Sequence, residues 1–374
     1  MMHVKLFTLV FLTSISFVSS ATFRFEKEST PNFGQLAHFK GSELCIVADN
    51  VATFMDKNAQ DDYAVHAGTV FPAEITVERV KKTLNFLCET YRDDVRAKRN
   101  SRLHNREFLT QHFHFYRWYP DKTKADSIAK KSSNAVKQRM LNNIPNNQLF
   151  LTKYYTKLLD ASEQQTKQYT QALYELPYDE QGLTYEQAEQ LKASLTRYKY
   201  TRQQVIAGAL LDKKLANPLV WITEEALHDV LLQGTGVLLV DDNVRYFNVH
   251  RNNHIAYDYH LGKREQARYW YFAEVDGVMG YGQEIGNKVA LKAHVSLAGN
   301  VKQLGLGKLL LLNMQYGSEN KARMAILADE GGAFTDNLFQ LDLLVDSYRG
   351  WDDYHAANKN IGDYADVWLM VLKN

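Results

Sequence analysis

Ala325-Ile326-Leu327-Ala328-Asp329-Glu330-Gly331-Gly332-Ala333-Phe334 is the stretch on which the reading of the fold turns. An apolar strand ends in a carboxylate, and two glycines follow at once. Glycine pairs permit φ > 0 and let backbone approach a ligand closely. The stretch therefore places an acid at the rim of a β-structure, where functional loops gather. The same residues also fit an Asp that merely caps a turn, since Asp before Gly is a favoured turn pair.

On either side lie further short β-rich runs: Val237–Val240, Tyr246–Val249, Tyr269–Ala273, Val289–Ala293, Lys308–Leu312 and Val367–Leu372. Asp-Asp-Asn, Asn-Asn, Asp-Gly and Gly-Leu-Gly turn signals separate them. Many short strands at this spacing predict a mainly β barrel or sandwich rather than alternating βα units. Upstream, Thr76 before Val77, Val80, Leu84, Leu87, Cys88 and Tyr91 predicts a capped amphipathic helix. Phe108–Trp118 alternates aromatic and polar residues like a half-buried strand, and Gln148–Leu159 repeats that pattern. Residues 121–149 read as a polar loop with a short helix, and Tyr185–Leu195 as a surface helix. Thr223–Leu232 reads as a capped helix ending at Gly234.

The 374 residues carry Lys+Arg 44 against Asp+Glu 43, a formal charge of +1 with no basic block, which argues against nucleic-acid or anionic-membrane binding. Tyr is abundant at 22, beside 18 Phe and 5 Trp, and its flat ring and hydroxyl suit core, interface and carbohydrate surfaces alike. Residues 1–21 have one Lys, an apolar segment from Leu6 to Val18, then Ser19, Ser20 and Ala21. That is the layout of a cleavable signal peptide, with an apolar part shorter than the roughly 20 residues of a spanning helix. No Cys lies at the cleavage site to accept a lipid, so a periplasmic or secreted protein without an anchor is expected. Cys45 and Cys88 fit either a disulfide or buried free thiols.

Several motifs fail on inspection. Gly234-Thr235-Gly236 opens like a dinucleotide loop, but a strand follows it. Gly305-Leu306-Gly307-Lys308 lacks the upstream Gly and the Ser/Thr of a phosphate loop. His250 and His254 have no Glu between them and sit beside Asn-Asn in a turn, and His112 with His114 has no third ligand in view, so no metal site is expected.

Taken in order, the remaining motifs resemble the membrane-bound lytic murein transglycosylase A family. The resemblance rests on D-x-G-G-A-φ at Asp329 and on Asp342-Leu343-Leu344, with a closing Val367–Lys373. Upstream it includes Leu151-Thr152-Lys153-Tyr154-Tyr155-Thr156-Lys157, Ile206–Leu210, Leu219-Val220-Trp221, Gln233-Gly234-Thr235-Gly236, Asn252-Asn253-His254 with Tyr257, and Tyr269–Phe272. It spans residues 65–373. It implies a double-ψ β-barrel domain with an inserted second β domain, a few N-terminal helices and a glycan groove between the domains. The expected segments are 22–155 for the helical region and first part of the barrel, 156–264 for the insert, and 265–374 for the rest of the barrel.

The implied reaction cleaves the β-1,4 bond between N-acetylmuramic acid and N-acetylglucosamine without water, leaving a 1,6-anhydro end. One carboxyl protonates the leaving oxygen and then accepts the C6 hydroxyl proton, so no cofactor is needed. The matching catalytic position is Asp329. Thr152, Tyr154, Tyr155, Gln233, Gly234, Thr235, Gly236, Gly331, Gly332 and Asp342 are the candidate substrate-binding residues. One of Tyr154 and Tyr155 is expected in the groove and the other in the core. Gln233 could serve the groove or a helix end, and Asp342 could orient Asp329 or lie on the surface. The expected partner is the peptidoglycan glycan strand, met by a monomer. Departures from the family pattern fall at Lys153, Lys157, Ala293-His294, Leu261-Gly262-Lys263 and Glu330. They leave open a non-catalytic or impaired glycan-binding relative, and a hydrolase of another polysaccharide on the same fold.

Overall fold

A computed structural model describes residues 23–37, 40–331, 334 and 336–374. The signal-peptide reading of residues 1–21 and the candidate Gly332 lie outside the described residues.

Six strands close a barrel: β1 (Leu149–Asp160), β2 (Ser296–Ala298), β3 (Leu309–Tyr316), β4 (Glu319–Asp329), β5 (Gln340–Tyr348) and β6 (Ile361–Leu372). Their order around the ring is β1-β6-β3-β4-β2-β5 and back to β1. The pairs β2–β4 and β5–β1 are parallel, and the others are antiparallel. Met324 to Ala328 on β4 are all 0% exposed. With neighbours on both edges and both faces covered, the strand is a continuous apolar run rather than an alternating one. Helices α1 (Gly41–Lys57) and α2 (Val77–Arg96) pack on this core, contributing Leu44, Val47, Val51, Leu84 and Leu87. Thr76 caps α2 as expected, its hydroxyl accepting from Arg79 N at 3.2 Å.

Strand β1 runs past the barrel, and Leu158–Asp160 pair in parallel with Val237–Leu239 of a second sheet. That sheet continues through Asn243–Asn252 to Trp270–Val275. Its core is separate from the barrel's and contains Leu173, Val220, Leu227, Val230, Leu238, Phe247, Tyr271 and Phe272. Helix α3 (Glu224–Gln233) packs there, capped by Thr223 and ended by Gly234 at φ 76°. The fold is thus mainly β, a closed barrel with an inserted second β unit.

Three local expectations differ. Phe108–Trp118 is not one strand: Asn105 caps a helix over Arg106–His112, its Oδ1 accepting from Phe108 N at 2.7 Å, and pairing begins at Phe113. Residues 121–149 hold two helices, Lys122–Lys131 and Ala135–Asn142, started by Asp121 and Asn134 caps. Val289–Ala293 joins no ladder. It folds back on Val278–Tyr281 instead, with Leu291 N donating to Val278 O at 2.8 Å and Val289 N to Tyr281 O at 2.9 Å. Buried Val289 and Leu291 face the barrel core, so the run is apolar for packing rather than for pairing.

Candidate active site

Asp329 is the last residue of β4. The parallel pairing with β2 matches Leu297 to Leu327 and then Ala298 to Asp329, so Ala328 is an extra residue on β4. A bulge of this kind re-aims the next side chain. Asp329, next after the bulge, lines the space between barrel and insert.

That space consists of two clefts meeting at Gly280, Asp329 and Glu330. One, of about 830 Å³, is walled by Asp61, Tyr63, Glu186, Tyr281 and Glu284. The other, of about 400 Å³, is walled by Tyr154, Tyr155, Gln233, Gly234, Thr235 and Lys288. The segment Val278–Tyr281 lies close under the site. A Cβ added to Gly280 would stand 2.8 Å from Leu291 Cδ2 and 3.0 Å from Ala328 O, so glycine is required for this approach.

Asp329 keeps part of its surface open to the cleft, while dense packing around its carboxyl pushes the pKa up to about 7. The Glu330 N–H, donating to Oδ1 at 2.9 Å, and the Tyr154 hydroxyl, donating to Oδ2 at 3.3 Å, oppose that rise, as does the Lys288 ammonium. Desolvation wins because only a few donors remain once water is removed. Burial also raises Tyr154 well above the ordinary tyrosine value and lowers Lys288. The adjacent acid, Glu330, accepts the Tyr63 hydroxyl at 2.7 Å, and burial followed by that bond pushes Tyr63 up to about 12. The Tyr63 and Tyr281 rings lie nearly parallel, 5° apart with centroids 6.5 Å apart, at the wall of the larger cleft.

The residues singled out in the sequence divide in two. Tyr154, Tyr155, Gln233, Gly234 and Thr235 line the smaller cleft with Asp329. Both tyrosines are half-buried at this wall, so they are not divided between groove and core. Tyr155 stacks on Tyr354 at 4.7 Å and meets the edge of Tyr348. Gln233 both ends α3 and clamps β1, accepting from Lys157 N at 3.0 Å. Thr235 accepts from Asn248 Nδ2 at 3.0 Å.

Thr152, Gly236, Gly331 and Asp342 are not among the lining residues of either cleft. Thr152 accepts from Gln340 Nε2 at 2.8 Å and donates to Leu341 O at 3.2 Å. Gly236 faces Val230 and Leu173, and Gly331 lies against the Phe334 ring. Asp342 pairs in register with Thr152, and its Oδ1 is buried without a hydrogen-bond partner among the described residues, so it is not a surface residue. Burial pushes Asp342 up to about 6 against the pull of the Thr152 hydroxyl and the Lys153 ammonium. Its charge in turn raises Asp329. Lys153 and Lys157, two departures from the family pattern, are cross-links. The first binds Asp363 and the second Asp229.

Lys288, Tyr63 and Tyr281 join the site without a signal in the sequence, whereas Glu330 stands beside Asp329 as the chain order requires. Tyr63 lies 267 positions from Glu330, and only tertiary folding brings them together.

The family model for the MltA specific insert domain matches residues 150–264. The fold is similar to that of the membrane-bound lytic murein transglycosylase from Agrobacterium tumefaciens, at TM-score 0.58 and 14% identity over 94% of this chain and 98% of that one. MltA from Neisseria gonorrhoeae gives 0.54 at 12% identity over 90% and 89%. E. coli MltA with bound chitohexaose gives 0.53 at 14% over 94% and 95%. No curated protein matches the chain by sequence. Residues 150–264 thus match the MltA specific insert domain, and the chain around them shares the fold of these MltA-type structures.

Proposed function

We propose that the protein is a lytic transglycosylase acting on peptidoglycan, with Asp329 as its single acid and base. The observation carrying this reading is one carboxyl with a pKa raised to about 7, set where two clefts meet. A group poised near neutrality can donate a proton in one step and take it back in the next. A glycan strand lying along both clefts would place its scissile bond at that junction. Chitohexaose bound to E. coli MltA supports a sugar polymer as the occupant.

In the first step protonated Asp329 gives its proton to the bridging O4 as the C1–O4 bond of the muramic sugar breaks. In the second, the C6 hydroxyl of that sugar attacks C1 and its proton returns to the Asp329 carboxylate. No water is consumed, and the carboxyl ends as it began. Between the two steps the carboxylate is stabilised by the Glu330 N–H, the Tyr154 hydroxyl and the field of Lys288. A hydrolase pairs two working carboxyls. Here the neighbouring acid Glu330 is occupied by Tyr63, and Asp342 lies away from the cleft linings. Among the described residues no helix is long and apolar enough to cross a membrane. The signal-peptide pattern of residues 1–21 favours a site of action in the periplasm or outside the cell.

Mass spectrometry of digested sacculi tests the reading. 1,6-Anhydro muropeptides are expected. Reducing ends would assign a hydrolase, and sacculus binding without any product would assign a glycan-binding protein.

A further inference from the structure

Beyond Gln233 and Gly234 the smaller cleft opens into a third pocket of about 280 Å³, with Gln233, Gly234 and Val249 lining both. Its walls carry Arg202, Lys263 and Arg268 with Tyr257 and Trp270, and no acid among the described residues. Arg202 is 4% exposed. Its Nε and Nη1 donate to the carbonyls of Arg268 and Lys263 at 2.9 and 2.8 Å, while Nη2 bonds to no described residue. The Arg268 guanidinium lies 4.5 Å over the Trp270 ring, and its Nε is buried without a hydrogen-bond partner among the described residues. Neither arginine forms an ion pair with a described carboxylate, although buried cations elsewhere in this unit do: Arg197 and Arg251 both hold Glu180. Burial lowers both Arg202 and Arg268, and no carboxylate opposes the effect.

Removing a cation from water without a counter-charge is costly, and a ligand anion removes that cost. Guanidinium forks match carboxylate geometry. The far arm of the groove has the opposite character, with Asp61, Glu186, Glu284 and Glu330 on its walls and no Lys or Arg among the described residues.

We infer that the pocket formed by Arg202, Lys263 and Arg268 is a carboxylate subsite for the acidic substituents of muramic sugars, either the lactyl carboxylate or the stem peptide. This rests on the transglycosylase reading and adds to it a polarity: the acidic substituents lie toward the insert and away from the acidic arm. The protein would then prefer murein to uncharged chitin-type polymers of equal length.

Calorimetric binding to the Asp329→Asn protein tests this without turnover. Three probes of equal length are compared: chitohexaose, stem-free murein glycan with lactyl carboxylates, and stem-bearing murein glycan. At low salt at least one murein probe binds roughly tenfold tighter than chitohexaose, and added salt erodes the difference. Arg268→Gln and the exposed-site variant Lys263→Gln remove most of that advantage while chitohexaose shifts far less. A gain shared by both murein probes assigns the lactyl carboxylate, and a gain confined to the stem-bearing probe assigns the peptide. Equal binding of all three probes, or equal weakening of all three by both variants, overturns the subsite. Absence of anhydro products from the unaltered protein would instead overturn the transglycosylase reading and leave this comparison intact.

Discussion

Asp329 carries opposing demands, and its neighbours set the balance. The free-enzyme kcat/KM is expected to fall as pH rises through about 7, because the proposed first step needs the protonated carboxyl. Tyr154→Phe removes a bond to the charged form and moves that limb to higher pH. Asp342→Asn removes a negative charge that disfavours ionisation and moves it to lower pH. A pH–rate profile of the three proteins checks both signs, and a shared limb would reject the assignment. Asp329→Asn should lower turnover by about 10²–10⁴. The same substitution should also stabilise the protein above neutrality. The carboxyl ionises at about 3.9 unfolded and at about 7 folded, so the unaltered protein loses stability as pH climbs between those values. Thermal melts at pH 4 and pH 8 should show the variant's advantage only at the higher pH.

Secondary structure was legible where a local device marks it. Thr76 before α2 and Thr223 before α3 cap as their sequence patterns require, and Gly234 ends α3 with a positive φ. Asn105 is the same kind of signal, and the alternation of Phe108–Trp118 hides it because aromatic spacing alone does not separate one helical turn from a strand. Strand β2 has only three residues and α1 lacks a side-chain cap, so neither leaves a comparable mark. Two glycine substitutions separate conformational from steric cost. Gly234→Ala has ordinary space around the new methyl but a left-handed backbone, and should cost about 1–2 kcal/mol. Gly280→Ala meets Leu291 and Ala328 directly and should cost about 1–3 kcal/mol. It should also depress activity the more strongly, because it displaces the segment beside Asp329. Urea denaturation paired with turnover assays distinguishes the two.

Barrel and insert are joined by shared strand β1 and by Arg251, which holds buried Glu180 at 3.0 Å and Glu284 of the cleft wall at 3.1 Å. The two arms differ in burial. Arg251→Met leaves Glu180 with Arg197 alone and should cost about 3 kcal/mol. Glu284→Gln loses only the half-exposed arm and should cost less than about 1 kcal/mol. Guanidinium denaturation of the two variants measures the contrast, and equal losses would refute it. On the barrel side Cys45 and Cys88 are buried free thiols between α1 and α2. Neither should react with Ellman's reagent until the chain unfolds, whereas a missing thiol signal after unfolding would reveal a disulfide.

Patterning along the chain was enough for the β character, the capped helices, the order of the family motifs and the position of Asp329 at a strand end. These depend on neighbours within a few residues, where alternation, caps and glycines act. The pairing of Ala298 with Asp329, the Tyr63–Glu330 bond, the approach of Gly280 and the burial that raises Asp329 to about 7 depend on chain packing. The decisive partners lie far apart in sequence, and desolvation is a property of the surrounding volume. Only tertiary structure could separate an Asp that caps a turn from one held near neutrality at the meeting of two clefts.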